Sequence, residues 1–237
     1  MSTTLHGSRE PLGFLICFAV KEEVAVKDEA APAGLLESED GRHILVTGMG
    51  RRNASEKFRE ALDRFAPDRV LTCGFAGALD PSLKVGDVLF DEDFGGEFAQ
   101  KLASLGARPA KFYCSTRVAV TVAEKTELRR TTGADAVEME SAVIRTLCRE
   151  RNISSATIRV ISDTAHEDLP LDFNALMTSE QKISFPKLAL ALIKSPGKIP
   201  RLMSLQSNTK LAAGRLGEVL KGLLHSFSDG GSSVVCR

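Results

Sequence analysis

Asp163 is the side chain here best placed to do chemistry, because of what precedes it. Ala156-Thr-Ile-Arg-Val-Ile-Ser-Asp163 opens as a nearly continuous β-branched run (Thr157, Ile158, Val160, Ile161) and ends in a polar pair, Ser162 and Asp163. Such a run suits a central parallel strand covered on both faces. In open α/β sheets ligands bind outside the carboxyl ends of the strands, so a carboxyl group there faces a crevice. An Asp after a strand also caps helices and starts turns. A second constellation is Ala136-Val-Glu-Met-Glu-Ser141. Its two carboxylates, Glu138 and Glu140, share a face if the segment is extended and diverge if it is helical. An ionised carboxylate accepts through both oxygens and so matches the two hydroxyls of a vicinal sugar diol. Glu at a helix N-terminus is equally well served by the dipole. Glu22 and Glu23, after the apolar run Phe14–Val20, have the same two readings.

Two glycine turns follow apolar runs: Gly48-Met-Gly50 and Gly74-Phe-Ala-Gly77. Gly48 and Gly50 are followed by Arg51, Arg52 and Asn53, so the third glycine of a dinucleotide fingerprint is missing, and no Walker loop is present. What remains is exposed backbone at strand ends with arginines beside one of them. That fits a small anion or a sugar better than a dinucleotide.

The elements that must position these groups alternate between strand and helix. Phe14–Val20, His43–Thr47, Val70–Cys73 (breaking at Gly74), Val85–Phe90 and Phe112–Val120 read as strands. Ala54–Phe65 carries Phe58, Ala61, Leu62 and Phe65 at helical spacing, 123–130 reads as a short helix, and 136–137 lead into a helix to about Arg151. Phe185–Ile193 and Leu211–Leu224 are helical, with Pro196 and Pro200 breaking between them. The pattern predicts an α/β fold: a single domain, residues 13–228, with a central mixed β-sheet flanked by helices, a disordered lead at 1–12 and a tail at 229–237.

Composition narrows the function classes. The 237 residues are 43% hydrophobic and 26% charged, with Lys plus Arg and Asp plus Glu at 31 each. A nucleic-acid binder needs an excess of basic charge, so none is expected as a partner. No apolar run reaches the roughly 18–20 residues a bilayer crossing requires, and the first residues lack an apolar signal core. Five scattered cysteines without a CxxC pair predict reduced thiols in a cytoplasmic protein and no zinc or other metal framework.

The ordered set Ala19-Val-Lys-Glu-Glu-Val24, Thr47-Gly-Met-Gly50, Gly74-Phe-Ala-Gly-Ala-Leu-Asp-Pro-Ser-Leu-Lys-Val-Gly-Asp-Val88, Val137-Glu-Met-Glu140 and Arg159-Val-Ile-Ser-Asp163 resembles the purine nucleoside phosphorylase and nucleosidase superfamily. The pattern most resembles methylthioadenosine/S-adenosylhomocysteine nucleosidases. The stretch Lys187–Leu223, with Lys194-Ser-Pro-Gly-Lys-Ile-Pro-Arg201, looks more like hopanoid-associated phosphorylases. The resemblance implies cleavage of the N-glycosidic bond of an adenosine-type nucleoside (methylthioadenosine-like or an adenosyl-lipid), with no cofactor and with water or phosphate as co-substrate. Asp163 would protonate the departing purine, its acidity tuned by apolar burial, and Glu23 would be general base on water. Glu140 would hold the ribose diol, Met139 would pack on the sugar, and Arg159 would sit near the ribose-binding carboxylate or form a structural salt bridge. Gly74, Phe75, Gly77 and Ser162 would line the substrate site. The resemblance further implies a homodimer or higher homo-oligomer.

Two departures matter. Phe75 stands where the nucleosidases carry a serine, and 72–79 hold no counterpart of the phosphorylases' arginine, leaving Lys21, Arg51 and Arg52 as candidate phosphate ligands. Hydrolysis is therefore the leading expectation, with phosphorolysis and a catalytically silent nucleoside-binding module as alternatives. Apolar faces interspersed with Lys194, Lys198 and Arg201 also suit a peripheral membrane contact, as well as packing on the core, and at a membrane the pocket would open toward these helices through an apolar channel.

Overall fold

Strand and helix alternate through the computed structural model, which describes residues 10–20, 23, 35–37, 42–93, 96–178, 180 and 182–228. In chain order the elements are β1 (Glu10–Phe18), β2 (Leu35–Glu37), β3 (Arg42–Val46), α1 (Arg51–Arg64), β4 (Phe65–Ala78), β5 (Val88–Glu92), α2 (Ala99–Ser104), β6 (Arg108–Pro109), β7 (Phe112–Cys114), α3 (Val122–Thr132), β8 (Ala136–Glu138), α4 (Ser141–Arg149), β9 (Ser154–Asp163), α5 (Phe173–Leu176), α6 (Phe185–Lys194) and α7 (Ile199–Ser228). The sheet runs β2-β3-β1-β4-β9-β5-β6, with β8 pairing β4 and β7 pairing β8. Strand β9 is parallel to β4 and antiparallel to β5, so the expected mixed sheet in a single α/β domain is what forms.

Period-two alternation builds the core on both faces of this sheet. Leu15 and Cys17 of β1 face Phe58 and Leu62 of α1 and Ile144 and Leu147 of α4. Ile16 and Phe18 face the other layer, where Leu216, Val219, Leu220, Leu223 and Leu224 of α7 cover β9 and β5. Burial of those five α7 side chains contributes roughly 8–15 kcal/mol of gross transfer free energy. It anchors the second half of α7 firmly. No helix among the described residues is long and apolar enough to cross a membrane.

Several expected boundaries move, each for a local reason. Strand β1 begins at Glu10, so the last residues of the expected lead belong to the sheet; residues 1–9, the tail 229–237 and Lys21 lie outside the described residues. Strand β4 does not break at Gly74 but runs to Ala78. Its glycine stretch takes a register shift at Ala76/Gly77 and turns from β1 to pair β8 antiparallel, a bulge that residues without side chains permit. The expected strand from Val85 starts only at Val88, because Gly86 at φ +90° closes a turn. Only Phe112–Cys114 of the expected 112–120 strand pairs, since the Ser115 hydroxyl both accepts from the Arg117 amide and donates to its carbonyl, curling the chain. The segment read as leading into a helix is strand β8. Pro200 opens α7 instead of separating two helices, its ring and missing N–H being tolerated in a first turn.

Candidate active site

Strands β1 and β4 stay paired only as far as Phe18 and Cys73, and beyond that point they separate. The crevice this creates at the carboxyl ends of the strands receives the chain following β1, β3, β8 and β9, as the open-sheet rule requires. Glu23 enters it after β1 and is buried. Its Oε2 accepts from the amides of Ala19 (2.9 Å) and Val20 (3.2 Å), and its Oε1 accepts from the Phe75 amide (3.1 Å), so one carboxylate ties the end of β1 to the middle of β4. Gly74 makes room for it: a Cβ there would fall 2.6 Å from Glu23 Oε1. Gly50, at φ +82°, precedes α1 and donates its amide to Glu140 Oε1 at 2.7 Å. A left-handed turn after β3 thus becomes a ligand for a carboxylate ninety residues later in the chain.

Glu138 and Glu140 have opposite roles because β8 ends between them. Glu138, the last residue of β8, is buried and accepts from the Arg159 guanidinium (2.8 Å), the amides of Glu140 (2.9 Å) and Ser141 (2.7 Å) and the Ser141 hydroxyl (2.8 Å). Arg159, 2% exposed, also donates to Thr72 Oγ1 at 3.0 Å. It therefore forms the structural salt bridge that was one of its two expected roles, with Glu138, to which the family resemblance assigned no role. Burial would raise the Glu138 carboxyl, but Arg159 and the two amides outweigh it and hold the group below the ordinary carboxylate range. Glu140 sits in the opposite balance: burial, reinforced by neighbouring Glu138, pushes it up to about 7 against Arg159 and the Gly50 amide. Burial also raises Glu23, opposed by Arg159 and the three amides that bind it. Three carboxylates thus surround one guanidinium.

Asp163 has a partner that sequence reasoning missed. Lys125, fully buried on α3, donates from Nζ to Asp163 Oδ2 at 2.6 Å, to the Thr164 carbonyl at 2.6 Å and to the Glu167 carbonyl at 3.1 Å. The expected apolar setting for Asp163 is corrected accordingly: its carboxylate faces an ammonium on one side, and the Ser162 hydroxyl donates to Oδ1 at 2.8 Å on the other. Gly77 lies close beneath, where a Cβ would sit 3.0 Å from Oδ2. The only signal in the sequence is a lysine following the Thr121–Glu124 capping box, at the end of a helix where the dipole disfavours a cation.

The remaining candidates separate into two groups. Met139, half-buried, lies between the two glutamates; Phe75 is also half-buried and packs on the core beside β9, presenting its backbone amide to Glu23. Arg51 and Arg52 are exposed at the start of α1. An open cleft reaches Asp163 and runs along Glu167, Asp168, Leu169, Pro170 and the α7 residues Arg201, Ser204, Leu205 and Asn208. It does open toward the C-terminal helices, but its walls mix carboxylate, guanidinium and amide groups with apolar ones, so the expected apolar channel is not what lines it.

Comparison with known proteins gives the family and the fold. The model of the phosphorylase superfamily matches residues 33–102 and 108–194. A 5′-methylthioadenosine/S-adenosylhomocysteine nucleosidase from Staphylococcus aureus (strain JH9) is 26% identical over 194 residues, covering 65% of this chain and 82% of that protein. Among solved structures, futalosine hydrolase of Helicobacter pylori strain 26695 superposes with a TM-score of 0.66 at 16% identity, over 91% of this chain and 98% of the other. The methylthioadenosine/S-adenosylhomocysteine nucleosidase of Helicobacter pylori with butyl-thio-DADMe-Immucillin-A gives 0.66 at 17% identity, over 92% and 99%. At these identities the solved structures establish a shared fold.

Proposed function

The chain belongs to the phosphorylase superfamily, and on that premise we propose that it cleaves the N-glycosidic bond of an adenosine-type purine nucleoside with water as the acceptor. The names of the relatives support the nucleoside class. The observation that carries the choice of water is the sign of the buried charge. Glu23, Glu138 and Glu140 surround Arg159, which is already engaged by Glu138 and Thr72, while Lys125 is committed to Asp163. An excess of buried carboxylate favours the positive charge that builds on a ribose as its C–N bond breaks, and it repels an incoming phosphate dianion.

In this reading Asp163 hydrogen-bonds the ring nitrogen of the departing purine and passes to it a proton from the Lys125 ammonium, which is left as the neutral amine. Glu140, with Oε1 held by the Gly50 amide, offers Oε2 to the ribose diol, and Met139 packs on the sugar. Glu23, fixed by three amides and raised by burial, takes a proton from the water that forms the new C–O bond. Ser162 orients Asp163, and the Gly74–Gly77 backbone shapes the floor beside Phe75. We place the protein in the cytoplasm as a homo-oligomer, a reading supported by four unpaired cysteines among the described residues and by the family resemblance.

The test is purine release from adenosine or methylthioadenosine in phosphate-free buffer, with free sugar as the other product. Strict dependence on added phosphate, with a sugar 1-phosphate formed, would replace hydrolysis by phosphorolysis and direct attention to Arg51, Arg52 and Lys21 as phosphate ligands.

A further inference from the structure

The large apolar side chains exposed among the described residues are Phe185 (77%), Leu190 (51%), Ile193 (77%), Ile199 (43%), Met203 (63%) and Leu211 (53%). All six fall in one segment, formed by α6, the 3-10 turn Pro196–Lys198 and the first half of α7. Helix α6 buries no residue at all, although eight of its ten residues are apolar. The core cannot take this face, because the second half of α7 already fills the groove over β9 and β5. Large apolar exposure concentrated in one segment of an otherwise ordinary surface marks an interaction site.

Charge identifies the partner. The chain as a whole is electrically balanced, yet from Lys182 to Gly217 it carries seven cations and no carboxylate. Lys182 and Arg215 pair with Glu180 and Glu218 just outside the stretch, while Lys187 and Arg201 donate to backbone carbonyls that pin the segment to its neighbours. Lys194 and Lys198 meet no carboxylate among the described residues and flank the exposed 3-10 turn together with Ile193 and Ile199. A second copy of the same face would bring cation against cation across a two-fold axis. An apolar segment that carries lysine and arginine and no carboxylate of its own instead complements anionic lipid headgroups over an acyl boundary.

We propose that α6, the 3-10 turn and the start of α7 form a docking surface for an anionic lipid bilayer, on which the protein lies peripherally. Arg201, Ser204, Leu205 and Asn208, which wall the cleft reaching Asp163, belong to the same part of α7, so the cleft opens beside the docked surface. The proposal does not depend on which bond the site cleaves.

Co-sedimentation of the full chain with vesicles of phosphatidylcholine alone, or of phosphatidylcholine mixed with phosphatidylglycerol, tests it. Retention on the mixed vesicles at low salt, reduced at high salt, is the expected result. Lys194→Gln with Lys198→Gln should weaken partitioning roughly 30-fold, at about 1 kcal/mol per cation near an anionic surface. Phe185→Ser with Ile193→Ser should release the protein from the same vesicles. Both side chains are exposed, so the variants should melt with the parent. No retention on anionic vesicles overturns the proposal, as does binding that is equal on phosphatidylcholine alone and indifferent to the lysines. A dimer that dissociates on Phe185→Ser with Ile193→Ser, in a protein that ignores vesicles, would assign the face to self-association and overturn it as well.

Discussion

Lys125→Met is the substitution whose consequence the structure fixes most tightly. The lysine side chain is 0% exposed and that of Asp163 is 10% exposed, so the pair is held almost entirely away from water. Methionine matches the length of the stem but removes the ammonium. It leaves three acceptors facing an apolar tip: Asp163 Oδ2 and the carbonyls of Thr164 and Glu167. Breaking a buried ion pair by deleting one partner costs about 3–5 kcal/mol, because the other charge stays buried and uncompensated. At roughly 2–4 °C per kcal/mol for a chain of this size, Tm should fall by roughly 6–20 °C. Thermal and urea unfolding of the variant measure this directly. Asp163→Leu combined with Lys125→Met should cost far less than the two single changes added together, since an apolar pair replaces the ionic one. A Tm drop below about 2 °C, well under the least the ion-pair estimate allows, would refute the claim that the pair is desolvated. Additive single effects would refute the claim that the two residues act as a unit.

Glu140, with its carboxyl raised to about 7, gives two pH-dependent outcomes. Because a raised acid keeps its proton longer in the folded state, its contribution to stability is fully present below the ordinary value of 4.5 and is lost as pH rises to about 7. Glu140→Gln, which mimics the protonated form, should therefore match the parent near pH 4 and exceed its stability at pH 8 by on the order of 2 kcal/mol; parallel stability curves would sink this. If the ionised form holds the ribose diol, kcat/KM of the parent should rise through about pH 7, and the variant should lose both affinity and turnover. Gly74→Ala puts a methyl group 2.6 Å from Glu23 Oε1 and should lower kcat by about 100-fold through displacement of the base, while circular dichroism shows the sheet retained. Near-normal turnover in that variant would show that the position of Glu23 is not critical.

The sheet was largely legible because the rules that build it are local. β-Branched runs in β9 and alternation in β1 specify buried strands, and three- and four-residue spacing in α1 specifies its inner face. The candidate residues were legible for a related reason: Asp163 ends a strand, Glu140 and Glu23 follow strands, and a strand end in an open sheet opens on the crevice. The boundaries that failed depend on distant partners. Whether Gly74–Gly77 ends a strand or bends it depends on β8 arriving sixty residues later, and whether 112–120 is strand depends on how far β7 finds a partner.

Charge pairing lies beyond sequence for the same reason. Two glutamates two residues apart look equivalent in the chain, but the end of β8 turns one onto Arg159 and the other onto the Gly50 amide, and their acidities move in opposite directions. The one local mark on Lys125, its place just after the α3 capping box, does not point to Asp163, because a lysine on a polar helix is ordinarily solvated and only the packing of α3 on the end of β9 buries it. What the sequence determined by itself is which side chains stand at the carboxyl ends of the strands, since period and turn chemistry are short-range. Only the tertiary structure decided which of them carry charge, because desolvation and Coulomb energy depend on neighbours that the chain brings together from far apart.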